Sequence, residues 1–165
     1  MKKLNTRMIA MIGLFVAIEV VLSRFLSINT PFVKIGFAFV PCALCAMLLG
    51  FGPTVMLEVV ADLLGATLFP SGAFFPGFTL TAALRGASYG LLLHKKQTPV
   101  RILLVVLFNQ LVLGLMVNTL WISILYGSPF WALVVTRLAQ CLPLIPVEFV
   151  IITALAKFGK RVVRK

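Results

Sequence analysis

Between Ile35 and Leu57, and again between Ile102 and Thr136, the chain carries no charged side chain. Runs of this length do not lie in water, and a domain of 165 residues has too little interior to hide them. The remainder is scarcely more polar: 61% of all residues are hydrophobic, where soluble domains sit nearer half. Lipid has to take up that surface. Each crossing of about 30 Å of hydrocarbon, at about 1.5 Å per residue, needs about 20 residues of helix.

Turn signals divide the apolar sequence into crossings. Gly50-Phe51-Gly52-Pro53 interrupts the first uncharged run, and Tyr126-Gly127-Ser128-Pro129 the second. The stretch from Phe69 to Gly77 is rich in Pro, Gly and Phe. It is too apolar for an open loop and is expected at the interface or folded back over the protein. His94 to Pro99 is the one plainly hydrophilic loop. The expected fold class is therefore all-α integral membrane. One domain, residues 1–165, forms a bundle of six transmembrane helices with spans at about 8–26, 35–49, 53–69, 76–94, 101–125 and 130–156. A basic start before an apolar run also resembles a cleaved signal. The run from Met8 to Phe25 is long for one and no small-x-small site follows it, so it is kept as the first span.

The net charge of +11 would point to nucleic acid in a soluble protein, but its distribution points to a membrane surface. With six spans and the N-terminus inside, the N-terminal tail, the 94–101 loop and the C-terminal tail are all cytoplasmic. These hold eleven of the fifteen Lys and Arg residues, so both termini are expected in the cytoplasm and no nucleic-acid partner is expected. Arg24 and Lys34 fall at the outer side, and Arg85 and Arg137 within spans.

All four acids, Glu19, Glu58, Asp62 and Glu148, fall within spans, where a charge needs a partner or water. Counting depth from the loop between spans three and four suggests an Asp62–Arg85 pair. Glu58 and Asp62 share a helix face at i,i+4, with no His or further carboxylate beside them. Cys42-x-x-Cys45 lies inside an apolar run and reads as small membrane-helix residues rather than a metal or redox site. No catalytic set, zinc pattern or Gly-x-x-x-x-Gly-Lys-Ser/Thr phosphate loop is present, so neither an enzyme nor a resident metal or cofactor is expected. The outer half carries Arg24, Lys34, Asp62 and Asn118 among Phe74, Phe75, Trp121 and other aromatics. Aromatic faces with a few convergent polar groups describe a small-molecule pocket better than a bare interfacial belt. Gly13-x-x-x-Ala17 is a small-x-x-x-small pattern that lets another helix approach.

These residues resemble a known family. Leu22-Ser23-Arg24-Phe25-Leu26-Ser27-Ile28, Thr30 to Ile35, Ala61-Asp62-Leu63-Leu64-Gly65, Phe69 to Thr79, Tyr89-Gly90 and Asn118-Thr119-Leu120-Trp121 occur in order over nearly the whole chain. Together they are similar to the substrate-binding S component of an energy-coupling factor vitamin transporter, most closely the folate-specific type. The resemblance implies a six-helix bundle in the cell membrane that captures folate at its outer face. It further implies a transmembrane scaffold subunit, or T component, and two cytoplasmic ATPases as partners. Gly13 and Ala17 take the place of an Ala-x-x-x-Ala pattern that packs on the scaffold. On this reading Asp62, assisted by Asn118, meets the amino-amide edge of the pterin, while Phe74, Phe75 and Trp121 cover its faces. Arg24 and Lys34 meet the anionic tail; the alternatives are that either holds a loop instead, and that Arg24 contacts the pterin carbonyl. The alternatives are an S component for riboflavin, thiamine or pantothenate, a small membrane enzyme acting on lipid, and a non-binding assembly subunit.

Overall fold

A computed structural model describes residues 5–29, 34–70 and 73–163. Helix α1 (Thr6–Arg24) leads into an antiparallel hairpin of β1 (Ser27–Asn29) and β2 (Lys34–Gly36), with Ser27 opposite Gly36 and Asn29 opposite Lys34. Then follow α2 (Phe39–Leu49), α3 (Phe51–Leu68) and α4 (Pro76–Leu93). Helix α5 (Pro99–Leu107) continues without a break through a π-helical segment (Phe108–Val117) into α6 (Asn118–Tyr126). The chain closes with α7 (Phe130–Val163), which holds Pro143 and Pro146 in its interior.

The punctuation is local chemistry. Pro76 and Pro99 begin their helices, where the missing N–H would have no partner in any case. Gly50 joins α2 to α3 at φ +87°, a conformation that strains any side chain.

Among the described residues, four helices are long and apolar enough to cross a membrane: Thr6–Arg24, Phe51–Leu68, Pro99–Tyr126 and the Cys141–Phe158 part of α7. The two other expected crossings differ. The span expected over 35–49 is helical only over the 11 residues of α2, about 16 Å long, because Lys34–Gly36 pairs in the hairpin instead. Helix α4 has 18 residues, but Gly, Ser, Thr and Arg85 dilute its apolar character. The hairpin is likewise an exception to an all-helical architecture.

Burial is inverted relative to a soluble domain. Glu19, Glu58, Arg137 and Glu148 are buried, while Leu91, Val100, Trp131, Val135 and Val150 stand exposed. One apolar cluster joins Ile12, Phe15, Val16 and Val20 of α1 to Cys45, Leu57 and Ala61. A second joins Tyr89 and Leu93 of α4 to α2, α5 and Ile152 of α7. Between α3 and α4 the backbones nearly touch: a Cβ on Gly90 would fall 2.5 Å from the Phe51 Cα. Gly90→Val should therefore destabilise the protein by about 1–3 kcal/mol, read as a lower melting temperature in detergent. A variant melting with the parent would mean that the two helices part more easily than this contact implies.

Candidate functional site

Eight polar side chains of the bundle converge on a cavity of about 150 Å³ between α4, the α5–α6 rod and α7, lined also by Gly36 of the hairpin. Thr81, Arg85 and Tyr89 face it from α4, Asn109, Gln110 and Asn118 from the α5–α6 rod, and Arg137 and Glu148 from α7.

The π segment explains how one rod supplies so much of the wall. Asn109 and Asn118 are nine residues apart, which is two and a half turns of an α-helix and puts them on opposite faces. With i→i+5 bonding a turn takes roughly 4.4 residues, so nine residues make about two turns and bring them to one side. Gly114 falls between them on the same wall.

Hydrogen bonds fix the floor of the cavity. Gln110 Nε2 donates to Glu148 Oε1 at 2.7 Å, and Asn109 Nδ2 donates to Ser88 Oγ at 2.8 Å and to the Val105 carbonyl at 2.7 Å. Other buried polar atoms are left over. Asn109 Oδ1, Glu148 Oε2 and Arg137 Nε and Nη1 have no hydrogen-bond partner among the described residues. Buried polar groups are seldom left this way in an empty, finished core.

Above the cavity stands an aromatic pair. Trp121 Nε1 donates to Thr81 Oγ1 at 3.0 Å, and the Trp121 ring lies 5.5 Å from Phe75, which meets Phe78 edge-on at 6.2 Å. Since Thr81 itself lines the cavity, Trp121 is one hydrogen bond from it.

Of the residues expected in the site, Asn118 lines the cavity, and Trp121 and Phe75 pack against each other beside it at a tilt of 47°. Phe74 is exposed. Asp62 lies elsewhere: it accepts the Thr79 hydroxyl at 2.8 Å on the α3–α4 seam. Arg24 packs on the same helix as Asp62, where a Cβ on Gly65 would fall 2.7 Å from its Nε and Nη2. Lys34 is placed in β2 by its backbone; its side chain, like Thr30 to Val33, Ser71 and Gly72, lies outside the described residues.

The expected Asp62–Arg85 pair does not form. Arg85 donates through Nε to Glu58 Oε2 at 2.7 Å, makes a second contact to the same oxygen through Nη2, and approaches Glu19 Oε1 at 3.6 Å. The reason is where the helices end. Glu58 lies ten residues before Leu68 and Arg85 nine after Pro76, so these two are level, whereas Asp62 is only six before Leu68.

Sequence reasoning missed Arg137, Gln110, Asn109 and Glu148 as a set. The signal was there in part, because Arg137 and Glu148 are eleven residues apart, about three helical turns, and so share a face.

A separate apolar groove of about 600 Å³ runs between α1 and α3, lined by Gly13, Val16, Ala17, Val20, Met56, Val60 and Leu64 among others. A Cβ on Gly13 would meet nothing within 4 Å. The chain's own described packing therefore does not require a small residue there.

Comparisons with known proteins agree with one another. Residues 7–156 match the family described as ECF transporter, substrate-specific component. The chain is 40% identical over 155 residues to the folate transporter FolT of Clostridium novyi (strain NT), covering 92% of this chain and 88% of that one. It is 30% identical over 153 residues to the folate transporter FolT of Leuconostoc mesenteroides, covering 88% and 82%. Its fold is similar to a crystal structure of FolT bound with folic acid, with a TM-score of 0.87 at 36% identity, covering 92% of this chain and 93% of that one.

Proposed function

The chain belongs to the family of ECF transporter substrate-specific components, and we propose that it is the folate-capturing subunit of such a transporter, a multi-pass protein of the cell membrane. The observation that carries this reading is the polar cavity behind the Phe75–Trp121 pair. It occurs in a chain whose fold is similar to that of a FolT bound with folic acid. A flat heteroaromatic ring needs an aromatic face and a few fixed donors and acceptors, and these are the groups gathered there.

The cavity's volume, about 150 Å³, is small beside the ~300–1,000 Å³ of ordinary ligand pockets. A ring system suits it, and the glutamate tail then runs out toward the hairpin, where Arg24 closes α1 and Lys34 sits in β2. Asn118, Trp121 and Phe75 serve the ring. Asp62, already bonded to Thr79, more naturally holds the outer ends of α3 and α4 than reads the pterin. Phe74, exposed beside Phe75, covers the entrance.

In this reading the remaining short or polar segments complete six crossings with both termini in the cytoplasm, as the basic clusters favour. The sequence lacks a phosphate loop, so ATP hydrolysis belongs to two separate cytoplasmic subunits, joined through a transmembrane scaffold. Folate is the ligand and no cofactor is needed.

Titration calorimetry on the detergent-purified chain should give one-to-one binding of folate and no heat with riboflavin. Folded protein that ignores folate would end the reading. Gly13 and Ala17, on the open α1–α3 groove, are the proposed contact with the scaffold helix. Gly13→Leu with Ala17→Leu should leave folate affinity unchanged and reduce cellular uptake about tenfold or more, since close helix approach is lost. Normal uptake by the double variant would place the scaffold on another face.

A further inference from the structure

Arg137 is the buried cation that the fold leaves unanswered. It is 7% exposed, lines the polar cavity, and has no acceptor for Nε or Nη1 among the described residues. A guanidinium has two outer edges, one containing Nε and the other containing Nη1, so each edge lacks at least one acceptor. Isolated buried charge of this kind is costly, and in a protein built to bind something the missing partner is naturally supplied by the ligand.

Its position narrows what that partner is. Arg137 is seven residues into α7 from Phe130, and Asn118 is eight residues before the end of α6 at Tyr126. By that count the two stand level across the cavity, about 3–4.5 Å deeper than Thr81, five residues into α4, and its hydrogen-bond partner Trp121, five before the end of α6. A ring packed on Trp121 that extends inward past Thr81 leads with its edge into the part of the cavity that Arg137 lines. An anionic tail is better served nearer the hairpin, where Arg24 lies at the end of α1.

Resting on the folate reading above, we infer that Arg137 is a specificity-determining residue that donates to the carbonyl oxygen and adjacent ring nitrogen of the pterin. Those two acceptors are spaced like O6 and N7 of guanine, the pair that arginine reads with both arms. A carbonyl at this position accepts from the guanidinium. An amino group in its place presents N–H against N–H, leaving the buried arginine unsatisfied.

The test compares folate with its 4-amino analogue, which differs at this edge and keeps the tail. Calorimetry on the full chain in detergent should show folate binding roughly tenfold or more tighter than the analogue. Arg137→Met should weaken folate by a similar factor, change the analogue by less than about threefold, and so erase the preference. Arg137→Lys keeps the charge without the two-armed geometry. It should fall between the two, and it carries the test if the methionine variant does not fold.

A variant that weakens both ligands equally and preserves their ratio would overturn the inference, since Arg137 would then act on the shared tail or on the fold. A folded variant with both affinities unchanged would overturn it too. If the parent binds neither ligand, the folate reading itself has failed and the inference falls with it. If the parent binds both equally well, the folate reading stands and only the role of Arg137 is lost.

Discussion

Arg85→Met is expected to destabilise the protein by about 3–5 kcal/mol, more than the crowding introduced by Gly90→Val. Arg85 joins three helices: it lies on α4, bonds Glu58 of α3 and approaches Glu19 of α1. The side chains of Glu19 and Glu58 are 4% and 0% exposed, so neither has water to fall back on. Removing the cation takes the ion pair from buried Glu58 and a neighbouring positive charge from Glu19 in a low-dielectric interior. The melting temperature in detergent should drop by about 6–20 °C for a chain of this size. Adding Glu58→Gln to Arg85→Met removes the charge that the arginine had paired and should recover a large part of the loss. A single variant that melts within about 2 °C of the parent would show that the triad is incidental to stability. Arg85 keeps 38% of its side-chain surface accessible and lines the cavity, so the same arginine joins the site to the α1–α3 side of the bundle.

Trp121→Ala should weaken folate by roughly 5- to 150-fold, the range that loss of one aromatic stacking partner gives for a heterocyclic base. The ring is held in two ways, by its own N–H on Thr81 at 3.0 Å and by Phe75 at 5.5 Å. These contacts fix its plane before ligand arrives, so little entropy is lost on binding. Trp121→Phe keeps a stacking face and should retain most of the affinity. Thr81→Val removes only the anchor and should cost less than the alanine variant. Calorimetric dissociation constants for the three variants give the order directly. If Trp121→Ala binds as the parent does, the ring lies elsewhere in the bundle.

How much of the fold and site is legible in the sequence depends on whether a feature is local. Pro76, Pro99 and the Gly50 break mark helix ends by chemistry within a few residues, and the structure starts or stops its helices there. Asn118, Trp121 and Phe75 stand out as polar or aromatic residues in otherwise apolar sequence. Asp62 fails as a partner for Arg85 because depth counting takes the loop ends as known, and an error of four residues is a full turn. The strand pairing that shortens α2 depends on Ser27 finding Gly36, a contact across nine positions. Arg137 and Glu148 are visible as charges in a span, but nothing in the sequence says that Gln110 and Asn109 face them. That alignment comes from a change of helical pitch, which hydrophobic periodicity does not register.

The altered pitch of residues 108–117 also bears on how proteins of this kind diversify. A wall set by bonding step rather than by residue identity can be rewritten by length. Losing one residue from the segment would favour return to ordinary helix and swing everything beyond it, Asn118 and Trp121 included, by about 80°. Insertions and deletions inside a membrane helix are usually counted as damage. In this rod they form an evolutionary dial, able to present a new set of side chains to the same chamber while every substituted letter elsewhere stays as it was.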